Sequence, residues 1–93
     1  ATYAAIKSAQ IMMIKHFASR SVFKKESISY NSISPGGVSG NEKNLFKSTY
    51  KKYSRNIGMI DPNDLSGLVN LLLSKQGRAI TGQNFIIDDG FTL

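Results

Sequence analysis

Tyr3 and Lys7 stand four residues apart in the opening stretch Ala1-Thr2-Tyr3-Ala4-Ala5-Ile6-Lys7. On a helix that spacing places both side chains on one face, a turn apart. A phenol beside an ammonium can do acid–base work, because a nearby cation favours the phenolate form. The pair alone is unspecific, since any basic helix with a tyrosine can contain it. Its meaning depends on the elements that would position it.

Ile6, Ala9, Met13, Ile14 and Phe17 recur at helical spacing and predict a helix over residues 3–20. Ala4, Ala5, Ser8 and Ala9 are small enough to let another helix approach, and Lys15, His16 and Arg20 suit the negative end of the helix dipole. A polar connection over 21–27 leads to a strand expected at 28–33, stopped by Ser34-Pro35-Gly36-Gly37. Residues 41–55 predict a second helix, with Phe46, Tyr50 and Tyr53 on an apolar face. Lys43, Lys47, Lys51 and Arg55 recur every fourth residue as a basic stripe, readable as a solvated face or as a cationic flap over an anionic ligand. Asp61-Pro62-Asn63-Asp64 has the residues of a helix start. Leu65, Leu68, Val69 and Leu72 mark its buried face, Gly67 suggests a tight contact, and Gly77 offers a C-terminal cap. A last strand is expected over residues 84–88. Strand, helix and strand in sequence predict a crossover joining parallel strands, with any ligand beyond their C-terminal ends.

Composition narrows the classes. Ninety-three residues with 41% hydrophobic content suit one globular unit with a modest core. The absence of cysteine excludes disulfides and thiolate metal sites and suits a cytoplasmic protein. With one histidine, His16, and scattered acids, no metal is expected. No apolar run approaches the roughly 20 residues that span a bilayer, and no signal peptide is read at the N-terminus. A net charge of +6 serves solubility or an acidic partner; a small basic nucleic-acid-binding protein is one alternative.

In this order the pieces resemble the C-terminal part of a short-chain dehydrogenase/reductase. Four motifs carry the resemblance. They are Tyr3-x-x-x-Lys7 opening a helix and Asn31-Ser32-Ile33-Ser34-Pro35-Gly36-Gly37-Val38 at a strand end. Asp61-Pro62-Asn63-Asp64-Leu65 opens a leucine-rich helix, and Ile80-Thr81-Gly82-Gln83 precedes Phe85-Ile86-Ile87-Asp88-Asp89-Gly90-Phe91. The resemblance implies an α/β fold, the C-terminal portion of a doubly wound parallel-sheet (Rossmann-type) domain, in the order helix–strand–helix–helix–strand. Residues 1–93 would be a C-terminal fragment of one such domain, with the cofactor-phosphate-binding half outside it.

The implied function is carbonyl reduction or alcohol oxidation with NAD or NADP. Tyr3 would be the proton donor or base. Lys7 would support it and bind the nicotinamide ribose. Pro35, Gly36, Gly37 and Val38 would border the nicotinamide. The segment with Lys43, Lys47, Lys51 and Arg55 would be the substrate flap. The sequence looks similar to surface-sugar and flagellin-glycan reductases and to 3-oxoacyl-carrier-protein reductases, whose substrates are anionic, nucleotide- or carrier-linked molecules. A homo-oligomer, dimer or tetramer, is implied for the full-length protein. A non-catalytic remnant that pairs with another subunit is the alternative.

Three positions depart from the family pattern. Gly40 stands where the family often has a cofactor-holding threonine, and Gly58 where it often has an arginine. Asp88-Asp89-Gly90 replaces the usual Asp-Gly-Gly.

Overall fold

The computed structural model describes residues 2–40 and 43–93. The chain runs α1 (Thr2–Phe23), β1 (Ser32–Pro35), α2 (Asn44–Lys51), α3 (Ser66–Leu73) and β2 (Asn84–Ile87). Short 3₁₀ turns at Pro62–Leu65 and Lys75–Gly77 flank α3. The two strands pair in parallel with Ser32 opposite Asn84 and Pro35 opposite Ile87, so the expected crossover through the intervening helices is present. A single parallel bridge between Val38 and Ile60 continues the strand past its end.

The strand begins four residues later than the sequence predicts and ends two later. Before Ser32 the backbone bonds partly to side chains instead of a ladder. Tyr30 N–H donates to Thr81 Oγ1 at 3.1 Å, while Gly82 N–H donates to the Tyr30 carbonyl at 2.7 Å. The strand ends at Pro35, inside the Ser34–Gly37 stretch expected to stop it, and Pro35 itself still takes a place in the ladder. Ser32 N–H donates to Gln83 and Gly36 N–H to Ile87, at 2.9 and 2.8 Å, so even-numbered positions face β2. Pro35 falls on the alternate position, where no N–H is needed.

The helices also differ in detail. α1 runs three residues beyond the predicted end, and α2 stops at Lys51, well short of residue 55. Residues 41 and 42, the predicted start of that helix, lie outside the described residues. Asp61 caps as expected: its carboxylate accepts from Asn63 N–H at 2.8 Å, and Asp64 accepts from Asp61 N–H at 2.9 Å. The cap opens a 3₁₀ turn that leads into α3. Gly67 meets nothing within 4 Å of where a Cβ would stand, so the expected tight contact is absent. Ser74 closes α3 instead of Gly77, bonding the Leu71 carbonyl through its hydroxyl at 2.8 Å. Gly77 is instead held where a side chain would run into the Leu71 carbonyl oxygen.

The core is thin. Ala18 and Ile60 are its buried apolar residues, joined by buried Ser21 and Asp88. The predicted apolar face of α1 stays open, with Ile6 and Met13 each 54% exposed and Phe17 40% exposed. Among the described residues, no helix is long and apolar enough to cross a membrane.

Candidate active site

Tyr3 and Lys7 lie on the first two turns of α1, where the run of alanines and unbranched side chains favours helix. The Lys7 ammonium stands 5.5 Å from the centre of the Tyr3 ring, a cation–π distance. Both residues line an open cleft of about 470 Å³. Gln10, Ile11 and Ile14 continue its helical wall, and β1 from Ser32 to Pro35 forms the other side. The phenol and the ammonium thus share a cleft with the whole of a parallel strand, its C-terminal residue Pro35 included. The hydroxyls of Ser32 and Ser34 both donate to Asn84 Oδ1, at 2.9 and 2.8 Å, and pin β1 to the first residue of β2.

Beyond Pro35 the chain turns through Gly36 and Gly37. A Cβ on Gly36 would stand 2.8 Å from the Asp88 Cβ and 2.9 Å from the Tyr50 hydroxyl, and one on Gly37 would stand 3.0 Å from the Tyr50 ring. Only glycine lets the backbone approach these groups so closely. Gly37 N–H donates to the Tyr50 hydroxyl oxygen at 2.7 Å. The Val38–Ile60 bridge is made by Ser39 N–H to the Ile60 carbonyl and Ile60 N–H to the Gly37 carbonyl, each 2.7 Å. Val38's own N–H and C=O take no part in it and have no hydrogen-bond partner among the described residues.

The basic stripe does not survive as a row. Lys43 sits at the N-cap of α2, and Lys47 reaches the Gly40 carbonyl at 3.4 Å. Lys51 closes the helix, its stem against Gly58. Arg55 lies past the helix end and pairs with Asp89 at 3.1 Å, so it is no free cation of a flap. None of these four lines the Tyr3–Lys7 cleft.

Asp89, which stands where the family usually has glycine, ties residues 55–58 to the C-terminal tail. Its backbone has φ of 52°, and its carboxylate accepts from the N–H groups of Asn56 and Ile57 at 2.8 and 2.6 Å and from Gly58 at 3.4 Å. The Asn56 N–H first, then those of Ile57 and Gly58 and the Arg55 charge, hold it below the ordinary carboxylate range. Asp88 is lowered too, first by the Thr92 hydroxyl at 2.6 Å and then by the N–H groups of Gly90 and Thr92. Sequence reasoning missed Tyr50 and Asp89 as organisers. Tyr50 was read only as one apolar-face residue, yet its ring stacks on Phe91 at 4.0 Å and 7°. The signal for Asp89 was its departure from Asp-Gly-Gly.

Residues 1–92 match the family described as Enoyl-(Acyl carrier protein) reductase. A short chain dehydrogenase from Leptospira borgpetersenii, solved with bound NAD+, superposes with a TM-score of 0.88 at 36% identity, over 98% of this chain and 35% of that one. A 4-hydroxyisoleucine dehydrogenase complexed with NADH and succinate superposes with a TM-score of 0.82 at 37% identity, over 97% of this chain and 37% of that one. The Campylobacter coli Post-translational flagellin modification protein A is 36% identical over 66 residues, which are 71% of this chain and 26% of that protein. The chain thus spans about a quarter to a third of the relatives it matches. On the matched family, the parallel-strand crossover and these neighbours, the chain belongs to the short-chain dehydrogenase/reductase family of oxidoreductases and corresponds to its C-terminal part.

Proposed function

We propose that this chain carries the proton-transfer part of an active site that interconverts a carbonyl and an alcohol, with NAD or NADP as the hydride partner. The supporting observation is the Tyr3–Lys7 pair, cation beside ring, on an open cleft whose other side is β1 through to its C-terminal residue Pro35. Ligands of open α/β sheets bind at that end. In reduction, the Tyr3 hydroxyl donates its proton to the substrate oxygen; in oxidation, the Tyr3 phenolate takes it back. The Lys7 ammonium stands beside the phenol and would donate hydrogen bonds to the ribose hydroxyls of a bound cofactor.

The residues present suit the nicotinamide end of such a cofactor. The unpartnered N–H and C=O of Val38 match the C=O and NH₂ of a carboxamide, with Pro35, Gly36 and Gly37 leading to them. When bound, the reduced nicotinamide supplies the hydride to the carbonyl carbon. The sequence holds no G-x-G-x-x-G phosphate loop, so pyrophosphate anchoring falls to the rest of the protein. The NAD+ and NADH in the related structures support this reading. The flagellin-modification relative and the carrier-protein family description favour an anionic, nucleotide- or carrier-linked substrate in the cytoplasm.

The open face of α1 favours a second role beside the first. Ile6, Met13 and Phe17 give the full-length protein a surface for pairing as a homo-oligomer.

The deciding experiment follows NADH and NADPH absorbance with the chain completed to the length of its relatives. Its substrates are keto-sugar nucleotides, 3-oxoacyl thioesters and neutral ketones. Consumption with one anionic class is expected. Absence of consumption and of nicotinamide binding across the panel would refute the reading in favour of the pairing role.

A further inference from the structure

Tyr50 belongs to α2, which carries none of the proton-handling groups, yet it packs directly against the turn after β1. Its hydroxyl oxygen accepts the Gly37 N–H at 2.7 Å and would stand 2.9 Å from a Cβ on Gly36, and its ring would stand 3.0 Å from one on Gly37. The ring is in turn held from its other side. Phe91 stacks on it at 4.0 Å and 7°, while Tyr53 meets Phe91 edge-on at 6.4 Å. Phe91 is placed by the Asp88 carboxylate, which accepts from Gly90 N–H, Thr92 N–H and the Thr92 hydroxyl on either side of it. The Phe91 N–H also donates to the Asp88 carbonyl at 3.0 Å.

From this chain of contacts we propose that Tyr50 is a positioning residue for the turn at residues 36–38, with Phe91 holding Tyr50 in place. The turn has the wrong composition to hold itself, since two adjacent glycines have the widest conformational freedom of any pair. The Tyr50 hydroxyl and the Ile60 bridge fix Gly37 through its N–H and its C=O respectively. With both groups of Gly37 bonded, the direction of the next peptide is set, and with it the unpartnered N–H of Val38. The inference rests on the nicotinamide reading of Val38 above. It adds that α2 and the C-terminal tail determine whether that N–H is presented.

Tyr50→Phe tests this with little change in packing, because the ring stays on Phe91 and only the acceptor is lost. The protein is the chain completed to the length of its relatives, and the probe is NADH. Losing one hydrogen bond of this kind should weaken NADH binding by about twofold to tenfold. kcat at saturating NADH should stay within about twofold, because no group touching the substrate oxygen has changed. Amide exchange of the peptide covering residues 36–40 should quicken, while the melting temperature stays close to that of the unsubstituted protein. Phe91→Leu keeps an apolar side chain but removes the stack, and should shift both readouts in the same direction by less. Unchanged NADH affinity, or a fall in kcat with affinity intact, would overturn the positioning role. If the unsubstituted protein binds no NADH, the cofactor reading fails by itself. The exchange measurement then decides separately: faster exchange in Tyr50→Phe upholds the holding of the turn, and unchanged exchange overturns it.

Discussion

Along the 22 residues of α1, only Ala18 and Ser21 are buried, and among the described residues two side-chain bonds reach other segments: Lys15 Nζ to the Gly82 carbonyl at 3.4 Å and Ser21 Oγ to the Ile28 carbonyl at 3.0 Å. The corner built from the 36–38 turn, Tyr50, residues 55–60 and the tail from Asp88 is held quite differently. There two carboxylates, a stacked ring pair and a backbone bridge bind four separate segments. The residues proposed to move a proton therefore sit on a thinly anchored helix, and the turn proposed to meet the nicotinamide sits in a densely bonded corner. A preorganised turn can be disturbed by stability-changing substitutions. A solvent-facing tyrosine can be removed almost without structural cost and will register only in the chemistry.

The largest expected effect lies on α1. Tyr3→Phe, in the chain completed to the length of its relatives, should lower the rate of carbonyl reduction by about 10²–10⁴-fold, the usual worth of general-acid assistance. The melting temperature should hold, since the Tyr3 side chain is 73% exposed. Lys7→Met should lower kcat and weaken NAD(P)H binding together, because it removes a charge and hydrogen-bond donors at once. Steady-state kinetics with calorimetric cofactor titration separate the two variants. Near-full activity in Tyr3→Phe would reduce the pair to an ordinary basic helix.

The next effect lies in the corner and should appear as stability. Gly36→Ala places a methyl group against Asp88 and Tyr50 and should destabilise the fold by about 1–3 kcal/mol, as overpacking does. Gly67→Ala is the contrasting substitution, on a helix with open space around it. It should be neutral or stabilise by up to about 1 kcal/mol. Chemical denaturation of both variants checks the sign. Equal changes at the two glycines would remove the distinction between a packed and an open position.

These two regions were also unequally legible in the sequence. The helical spacing of Tyr3 and Lys7 is local, and so was readable, as were the Asp61 cap and the parallel relation of β1 and β2. The corner depends on contacts between residues far apart in the chain. Nothing local to Tyr50 announces that Gly37, 13 positions earlier, will donate to its hydroxyl. Nor does a four-residue period reveal that the helix stops at Lys51 and leaves Arg55 to Asp89, 34 positions later. The strand at 28–33 was misplaced for a related reason. Its start is set by where Asn84 and Thr81 stand opposite, and the alternation of its own side chains carries no record of that.

A smaller effect should come from acid. Asp88 and Asp89 both have folded-state values below the ordinary 3.8, because the native state gives their carboxylates hydrogen bonds that the unfolded chain lacks. Such groups contribute stability above their unfolded value, and that contribution is lost as pH falls through the lower folded values. The melting temperature should therefore be level near neutrality and decline once the pH drops below about 4. Asp89→Asn should melt lower at pH 7 and show a shallower acid decline, since one titrating contributor is gone. An acid profile identical to that of the unsubstituted protein would show that the carboxylate does not hold residues 55–58.

The smallest effect concerns what remains of the basic stripe. Arg55 is exposed but paired to Asp89, Lys47 is half-buried and directed to the Gly40 carbonyl, and Lys43 and Lys51 are exposed. Exposed charges act weakly and are screened within about 10 Å at 0.1 M salt. Charge reversal at Lys47 and Lys51 should lower kcat/KM for an anionic substrate by a factor of about two to five at low salt, the scale of exposed ion pairs. The deficit should shrink as salt is raised, and a neutral ketone should be spared. Arg55→Glu makes the comparison sharper. It should act mainly through stability, by placing a second anion against Asp89, with little preference between substrate classes. Equal losses on anionic and neutral substrates from the two lysine reversals would assign α2's charges to a solvated face. The contact of α2 with the site would then run through Tyr50 alone.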